Sequence, residues 1–338
     1  MTSAPGPPEE SPINTAGVSG LFRLLTTGGS LLLLLALAVL LPARAFLSPD
    51  LLPVEILTSF APQYALLALA MGIVLWWRRR WIRGSAFLLL LVPDLAGVIG
   101  SRVGSTDELA SAQPRLMVFS ANLFESERAV RSAVAQVEAL DADLVWWSEF
   151  PRELDPDTRA RVGELDARYP FGFELAAADG RDIRFLSRYP LRTRQTFEPA
   201  LTTGRPALRL GLDVRGFPVT VFALHTHPPT SDWSLRARNE TLDWLQDELA
   251  SLDGRAIVMG DLNTSAFSPR FAELIREGEL ACLSPWRCAV ASWPTFVPFL
   301  LTPIDHILVS GEVAITSLRR GRFTGSDHFP IVAEIVFL

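Results

Sequence analysis

The chain has 338 residues, a hydrophobic fraction of 49% and a positive mean hydropathy of +0.25, enough for one large domain of roughly 230 residues plus membrane-spanning material. The formal net charge is −6, and because seven of the 31 basic residues and five of the 37 acids precede residue 105, the remainder carries −8. That balance excludes the basic footprint of a tight non-specific nucleic-acid binder, while a nuclease that works through bound metal stays open.

Residues 1–19, rich in Pro, Gly, Ser and Thr and without apolar periodicity, are expected to form a disordered tail. Residues 20–100 are expected to form a membrane region with three transmembrane helices at about 21–41, 54–77 and 85–100. Pro93 and Asp94 interrupt the third, where a carboxylate at membrane depth is costly. Between the second and third lies Trp76-Trp77-Arg78-Arg79-Arg80-Trp81-Ile82-Arg83, an aromatic belt beside four arginines in a short loop. The positive-inside rule assigns that loop to the cytoplasm, so three crossings deliver everything after about residue 101 to the extracytoplasmic side. Ala43-Arg44-Ala45 also fits a signal-peptidase site, and cleavage there leaves the same final topology.

Residues 101–114 read as a linker, and 115–338 as one large folded domain. In the latter, short β-prone runs at Leu116–Ser120, Leu144–Trp147, Arg184–Leu186, Ala207–Val214, Val219–Leu224, Ala256–Met259, Ile307–Val309 and Ile331–Phe337 alternate with helical patterns. The helices are expected near Ser126–Leu140, Ser234–Leu252 and Ser268–Glu277, the last with Ser268 as N-cap, Pro269 at its first position and Gly278 beyond its end. This order predicts an α/β domain of two packed sheets with helices outside. The two cysteines, Cys282 and Cys288, are either a disulfide in an oxidising compartment or two buried free thiols.

Polar residues punctuate these runs in a pattern. Asn122, Glu149, His225 and Asp261 each follow an apolar run and end a strand, whereas Asp305-His306 and Asp327-His328 precede one. If the second set runs antiparallel to the first, all converge on one edge. Each of the four histidines, His225, His227, His306 and His328, stands beside one of these polar clusters. Together they supply what water attack on a phosphate ester needs: a bound cation, a group to position the water, and donors for the transition state. Glu149 is the first-choice ligand for a hard divalent ion, Mg²⁺ or Mn²⁺. His306 reads as a residue starting its strand, not as a catalyst.

Ser-Ala-Asn122, Trp-Ser-Glu149, Ser187-Arg188-Tyr189-Pro190, the histidine-ended strand, Gly-Asp261-Leu-Asn263, Ile-Asp305-His and Ser-Asp327-His328, in this order, resemble the endonuclease/exonuclease/phosphatase superfamily over roughly residues 115–338. The resemblance implies a DNase I-like four-layer α/β sandwich. It implies that Glu149 binds metal, that Asp261 positions the attacking water with Asn122 and Asn263 as polar supports, and that Asp305 orients His328. Asp327 and Asn122 are candidates for further metal contacts. The phosphate-contacting histidine is His225 by its place after the strand or His227 by its Thr-His-Pro-Pro context. The three spans ahead of such a domain are similar to membrane-anchored actinomycete proteins associated with glycopeptide resistance, which implies a lipid pyrophosphate of cell-wall synthesis as substrate. An exported nuclease and a catalytically silent membrane scaffold are the rival expectations. Trp293, Phe296 and Phe299, in the Cys282–Pro303 segment, are expected either to pack beneath the site or to form an apolar lip that meets the bilayer and admits a lipid-borne phosphate.

Overall fold

The computed structural model describes residues 50–89, 114–200, 205–282 and 289–338. The expected tail, first span, most of the third span, nearly all of the linker and Cys288 fall outside them. The chain divides into two units, with residues 64–94 in one and residues 43–63 and 95–338 in the other.

In the larger unit, β1 (Arg115–Asn122), β2 (Leu144–Phe150), β3 (Phe173–Leu175), β4 (Asp182–Ser187), β10 (Val313–Arg320) and β11 (Ile331–Phe337) form one mixed sheet, ordered β10-β11-β1-β2-β4-β3. The other sheet, ordered β5-β6-β7-β8-β9, contains β5 (Leu191–Phe197), β6 (Ala207–Val214), β7 (Phe217–His225), β8 (Arg255–Asp261) and β9 (Asp305–Ser310). Alternation of side chains along each strand sorts residues into layers. Leu116, Val118 and Trp146 of the first sheet meet Val221, Ala223, Ile257 and Ile307 of the second in the central core. Their neighbours Phe119, Val145 and Trp147 face outward, onto helices α4 (Glu127–Leu140) and α5 (Pro156–Asp166) through Val130, Val134, Val162 and Leu165. Phe222, Leu224 and Val258 do the same for α6 (Asp232–Ala250) and α7 (Pro269–Glu277). The result is the expected helix, sheet, sheet, helix order.

The helices begin where side chains satisfy otherwise unpaired N–H groups. Ser126 accepts from the Ala129 N–H, Asp155 from those of Asp157 and Thr158, and Ser268 from that of Arg270. Three strands and one helix carried no clear sequence signal. β3 is only three residues long with none buried, β5 exposes its five central residues, β10 is exposed at its end, and α5 buries only Thr158, Val162 and Leu165, so none of them shows a continuous apolar period.

The expected single span over 54–77 is corrected: the chain forms α1 (Leu52–Ser59) and α2 (Ala61–Trp77), separated at Phe60. Pro62 accounts for the break, since its ring crowds the carbonyl four residues earlier, that of Thr58, and it has no N–H to donate. α1 belongs to the same unit as the sandwich, and its Glu55 is fully buried there. Among the described residues no single helix is long and apolar enough to cross a membrane; α1 and α2 pass that test only as a bent pair. In the smaller unit, α2 turns through Arg78–Arg80 into α3 (Trp81–Leu89). A Cβ on Gly84 would lie 2.3 Å from Cδ1 of Trp76 and 2.9 Å from the Gly72 carbonyl, so the two helices approach as closely as they do because glycine is there. Leu66, Leu67, Leu69, Ile73, Trp76 and Trp77 are exposed.

Candidate active site

Strand register assembles the site. His225 pairs with Asp261 across parallel β7 and β8, and Asp261 pairs with Asp305 across antiparallel β8 and β9, so three functional groups stand in a row at one sheet end. In the other sheet Asn122 pairs with Ser148, and Glu149 follows. The two rows meet through Asn122, whose Nδ2 donates to Glu149 Oε1 at 3.3 Å and to Asp261 Oδ2 at 3.2 Å. His328, in the loop before β11, reaches across to Asp305 with Nδ1 2.7 Å from Oδ2. Ser326 donates to the Asn122 carbonyl at 2.8 Å and fastens that loop to the end of β1.

Several backbones here are in the left-handed region: Glu149 (φ 50), beside a bulge in the β2–β4 pairing, Asn263 (φ 46) and Gly260 (φ 130). At Gly260 a Cβ would lie 2.0 Å from the Leu224 carbonyl oxygen, so only glycine lets β8 approach β7 closely enough to place Asp261 beside His225.

Burial pulls the His328 imidazole down, but the charges of Asp305 and Asp261, with the Asp305 hydrogen bond, outweigh it and push its pKa up to about 10. Its Nε2 faces Asp261 at 3.9 Å and Asp327 at 4.0 Å. The Asp261 carboxyl is raised by burial and by Asp305. It accepts the Asn263 N–H at 3.0 Å, while the Asn263 amide itself donates to the Thr226 carbonyl at 2.9 Å. Asp327 is raised by burial, and the nearby Glu149 charge adds to this. Trp293 Nε1 donates to it at 3.2 Å.

Of the competing histidines, the structure brings His225 to the acids, with Nε2 3.3 Å from Glu149 Oε1. His227 is packed edge-on against Trp233 at 5.5 Å. His306 is buried, bonds the Thr264 carbonyl at 2.9 Å and lies 4.4 Å from Phe271. Burial, then the Arg205 charge, lowers His225 to about 4. Arg205 Nη1 stands 3.0 Å from His225 Nε2, the same ring nitrogen that faces Glu149 Oε1. Burial would raise Glu149, yet hydrogen bonds and charges from His225, Arg181 and Asn122 bring it to about 2. With His225 neutral at pH 7, Arg181, 3.4 Å away, is the cation that keeps Glu149 ionised.

Arg181 and Arg205 are the functional side chains that sequence reasoning missed. Nothing in Gly-Arg181-Asp or Gly-Arg205-Pro separates them from the chain's other arginines. Both line a cavity of about 530 Å³ whose floor is Asn122, Glu149, Asp261, Asp327 and His328, and whose walls include Ile56, Phe60, Pro228, Pro229 and Trp293. Phe296 and Phe299 are 71% and 76% exposed, which overturns core packing for these two rings. Cys282 is disulfide-bonded.

The donor set suits a hard divalent cation: Glu149 and Asp327 are like-charged neighbours facing one cavity, with the Asn122 side chain close by. Asp261, Asp305 and His328 also bring ligand atoms within 4.8 Å of one another. That second cluster is less suitable, because Asp305 already holds the ring Nδ1 and the only other ring donor is a nitrogen.

Two packed sheets with acids, amides and an aspartate-held histidine at one end define a hydrolase of phosphate esters that depends on a divalent metal. The Endonuclease/Exonuclease/phosphatase family matches residues 129–328, and the chain belongs to it. The fold is similar to those of the endonuclease/exonuclease/phosphatase from Beutenbergia cavernae (21% identity, TM-score 0.55, covering 67% of this chain and 72% of that one) and the family protein from Leptotrichia buccalis (12%, 0.52, 66% and 100%). It is also similar to that of D. rerio TDP2 complexed with single strand DNA product (16% identity, TM-score 0.52, covering 66% of this chain and 99% of that one). No curated protein matches the chain.

Proposed function

We propose that the chain is a membrane-anchored, extracytoplasmic Mg²⁺-dependent phosphoesterase acting on an amphiphilic phosphate ester or pyrophosphate, such as a lipid pyrophosphate of cell-wall synthesis. The observation that carries this reading is a cavity with an acidic, imidazole-bearing floor and apolar walls. Anchoring is supported by the exposed leucines and tryptophans of α2 beside the Arg78–Arg80 turn. The disulfide at Cys282 supports an oxidising compartment.

Glu149, with Asp327 and Asn122, would hold the cation, whose chemistry when bound would be to offset charge on the phosphate oxygens. Asp261, braced by Asn122 and by the Asn263 N–H, orients the attacking water and receives its proton, a role suited to a carboxyl whose pKa burial has raised. His328, fixed through Nδ1 by Asp305, offers its protonated Nε2 to the phosphate or the leaving oxygen. Arg181 and Arg205 line the same cavity with guanidinium groups, which suit phosphate oxygens.

The test is release of phosphate or alcohol by the purified full-length protein with Mg²⁺, against undecaprenyl pyrophosphate, sphingomyelin, and single- and double-stranded DNA, with Glu149→Ala and His328→Ala as controls. Turnover of one lipid, lost in both controls, is the expected result. DNA cleavage alone would replace this reading with a nuclease, which the similarity to the DNA-bound TDP2 structure keeps in the panel. Silence on every substrate would favour the scaffold.

A further inference from the structure

The segment ahead of α2 is bound to the catalytic unit by polar side chains. Glu55 Oε1 accepts from Arg238 Nη1 at 2.5 Å and from Thr264 Oγ1 at 2.9 Å, and Oε2 accepts from Ser268 Oγ at 2.7 Å. Glu55 and Arg238 are both fully buried. Asp50 accepts from Asn239 at 2.8 Å, and the Ser59 carbonyl accepts from Thr302 at 2.7 Å. Arg238 also donates to the Asn263 carbonyl at 3.1 Å. One guanidinium therefore ties α1 to the loop that braces Asp261.

Besides the residues so bonded, Ile56 and the following Phe60 line the cavity. Ile56 is 42% exposed there, and hydrolysis needs no apolar group at that place. An ion pair is a costly way to fasten a helix, since desolvation offsets much of its attraction, but it fixes register more strictly than apolar packing does. Register decides whether Ile56 and Phe60 or the polar side of α1 faces the cavity.

We infer that α1 is a substrate-selecting wall: latched by Glu55 and Arg238, it presents Ile56 and Phe60 to the alkyl or isoprenyl chain esterified to the phosphate. Glu55 is a positioning residue, and the two apolar side chains determine specificity. This inference rests on the phosphoesterase reading for the headgroup end of the cavity.

The test is titration calorimetry of hexylphosphonate and methylphosphonate, both non-hydrolysable, into the full chain in lipid nanodiscs with Mg²⁺, with empty nanodiscs as blank. Each buried methylene tightens binding about fourfold, so hexylphosphonate should bind at least about tenfold more tightly than methylphosphonate. In Ile56→Ser/Phe60→Ser that ratio should fall below about threefold. In Glu55→Gln it should fall as well, together with faster hydrogen exchange of residues 51–60. A ratio near one in the unaltered protein, or one that both variants leave intact, would overturn the inference. Hydrolysis of hexyl phosphate, followed separately, keeps the two readings apart. A chain-length preference without turnover retains the wall and sinks the phosphoesterase, and turnover without a preference does the reverse.

Discussion

Gly260→Ala tests whether the end of β8 sets the geometry of the site. The added Cβ would stand 2.0 Å from the Leu224 carbonyl oxygen, and real Cβ atoms do not come closer than 3.0 Å, so β7 and β8 must part by roughly 1 Å at that rung. The next rung is His225 with Asp261. The Asn122 to Asp261 bond, already 3.2 Å, would then exceed hydrogen-bonding range. A misplacement of about 1 Å in a catalytic group costs on the order of 10²-fold in rate. The φ of 130°, disfavoured for a residue with a side chain, adds strain of about 1–3 kcal/mol. Gly163→Ala is the matched control: it lies inside α5, exposed, with nothing within 4 Å of the new Cβ. It should stabilise by about 0.5–1 kcal/mol, through helix propensity, and leave the rate alone. Turnover of bis(p-nitrophenyl) phosphate and a thermal melt on both variants provide the assay. A Gly260→Ala enzyme with undiminished turnover would refute the account.

Asp305→Asn should lower turnover by about 10²–10⁴-fold, and in a His328→Ala background it should cost almost nothing further, because the two act as one unit; additive losses would separate them. Glu149→Ala should raise the Mg²⁺ concentration needed for half-maximal activity by at least about tenfold, read from a metal titration. Burial holds the Tyr169 phenol up at about 12 against an ordinary 10.0, and Tyr189 is raised as well. A raised folded pKa contributes stability that is full below pH 10 and lost as pH rises through 12. With no lysine in the chain, no ammonium titrates over that range, and Tyr169→Phe should flatten the decline seen by chemical denaturation. Phe296→Ser with Phe299→Ser, at two exposed rings, should impair action on a lipid substrate more than on a soluble phosphate ester; equal loss on both removes the membrane-facing lip.

What was legible in the sequence followed from alternation. Asn122, Glu149, His225 and Asp261 each close a run of apolar residues, and a polar side chain at a strand end needs a partner or a task. The choice between His225 and His227 was not legible, because both sit within the same short polar stretch. Pairing settles their placement: β7 and β8 stay in register through His225 and Asp261, after which Thr226 turns to bond the Asp261 and Leu262 carbonyls, which carries His227 off the rung. Arg181 and Arg205 were invisible because their partners, Glu149 and His225, are distant in sequence. Glu55 lies within the expected 54–77 span and drew no reading of its own, because its partner Arg238 lies 183 residues away.

The buried Glu55–Arg238 pair makes α1 part of the catalytic unit. A fragment covering only residues 114–338 keeps the acids, amides, imidazoles and arginines of the site but lacks Glu55, leaving Arg238 with Asn239 and the Asn263 carbonyl as hydrogen-bond partners. Removing one member of a buried ion pair costs about 3–5 kcal/mol; the lower figure applies, because losing α1 also lets water reach the guanidinium. Arg238→Met should therefore have opposite effects in two contexts. In the full chain it strands the Glu55 carboxylate and destabilises, whereas in the fragment it removes an unpaired charge and raises the melting temperature. A fragment that melts as high as the full-length catalytic unit, or one that Arg238→Met weakens, would mean that the sandwich does not depend on α1. The reversal in sign is what a chain shows when its catalytic unit includes α1, ahead of the apolar helix α2.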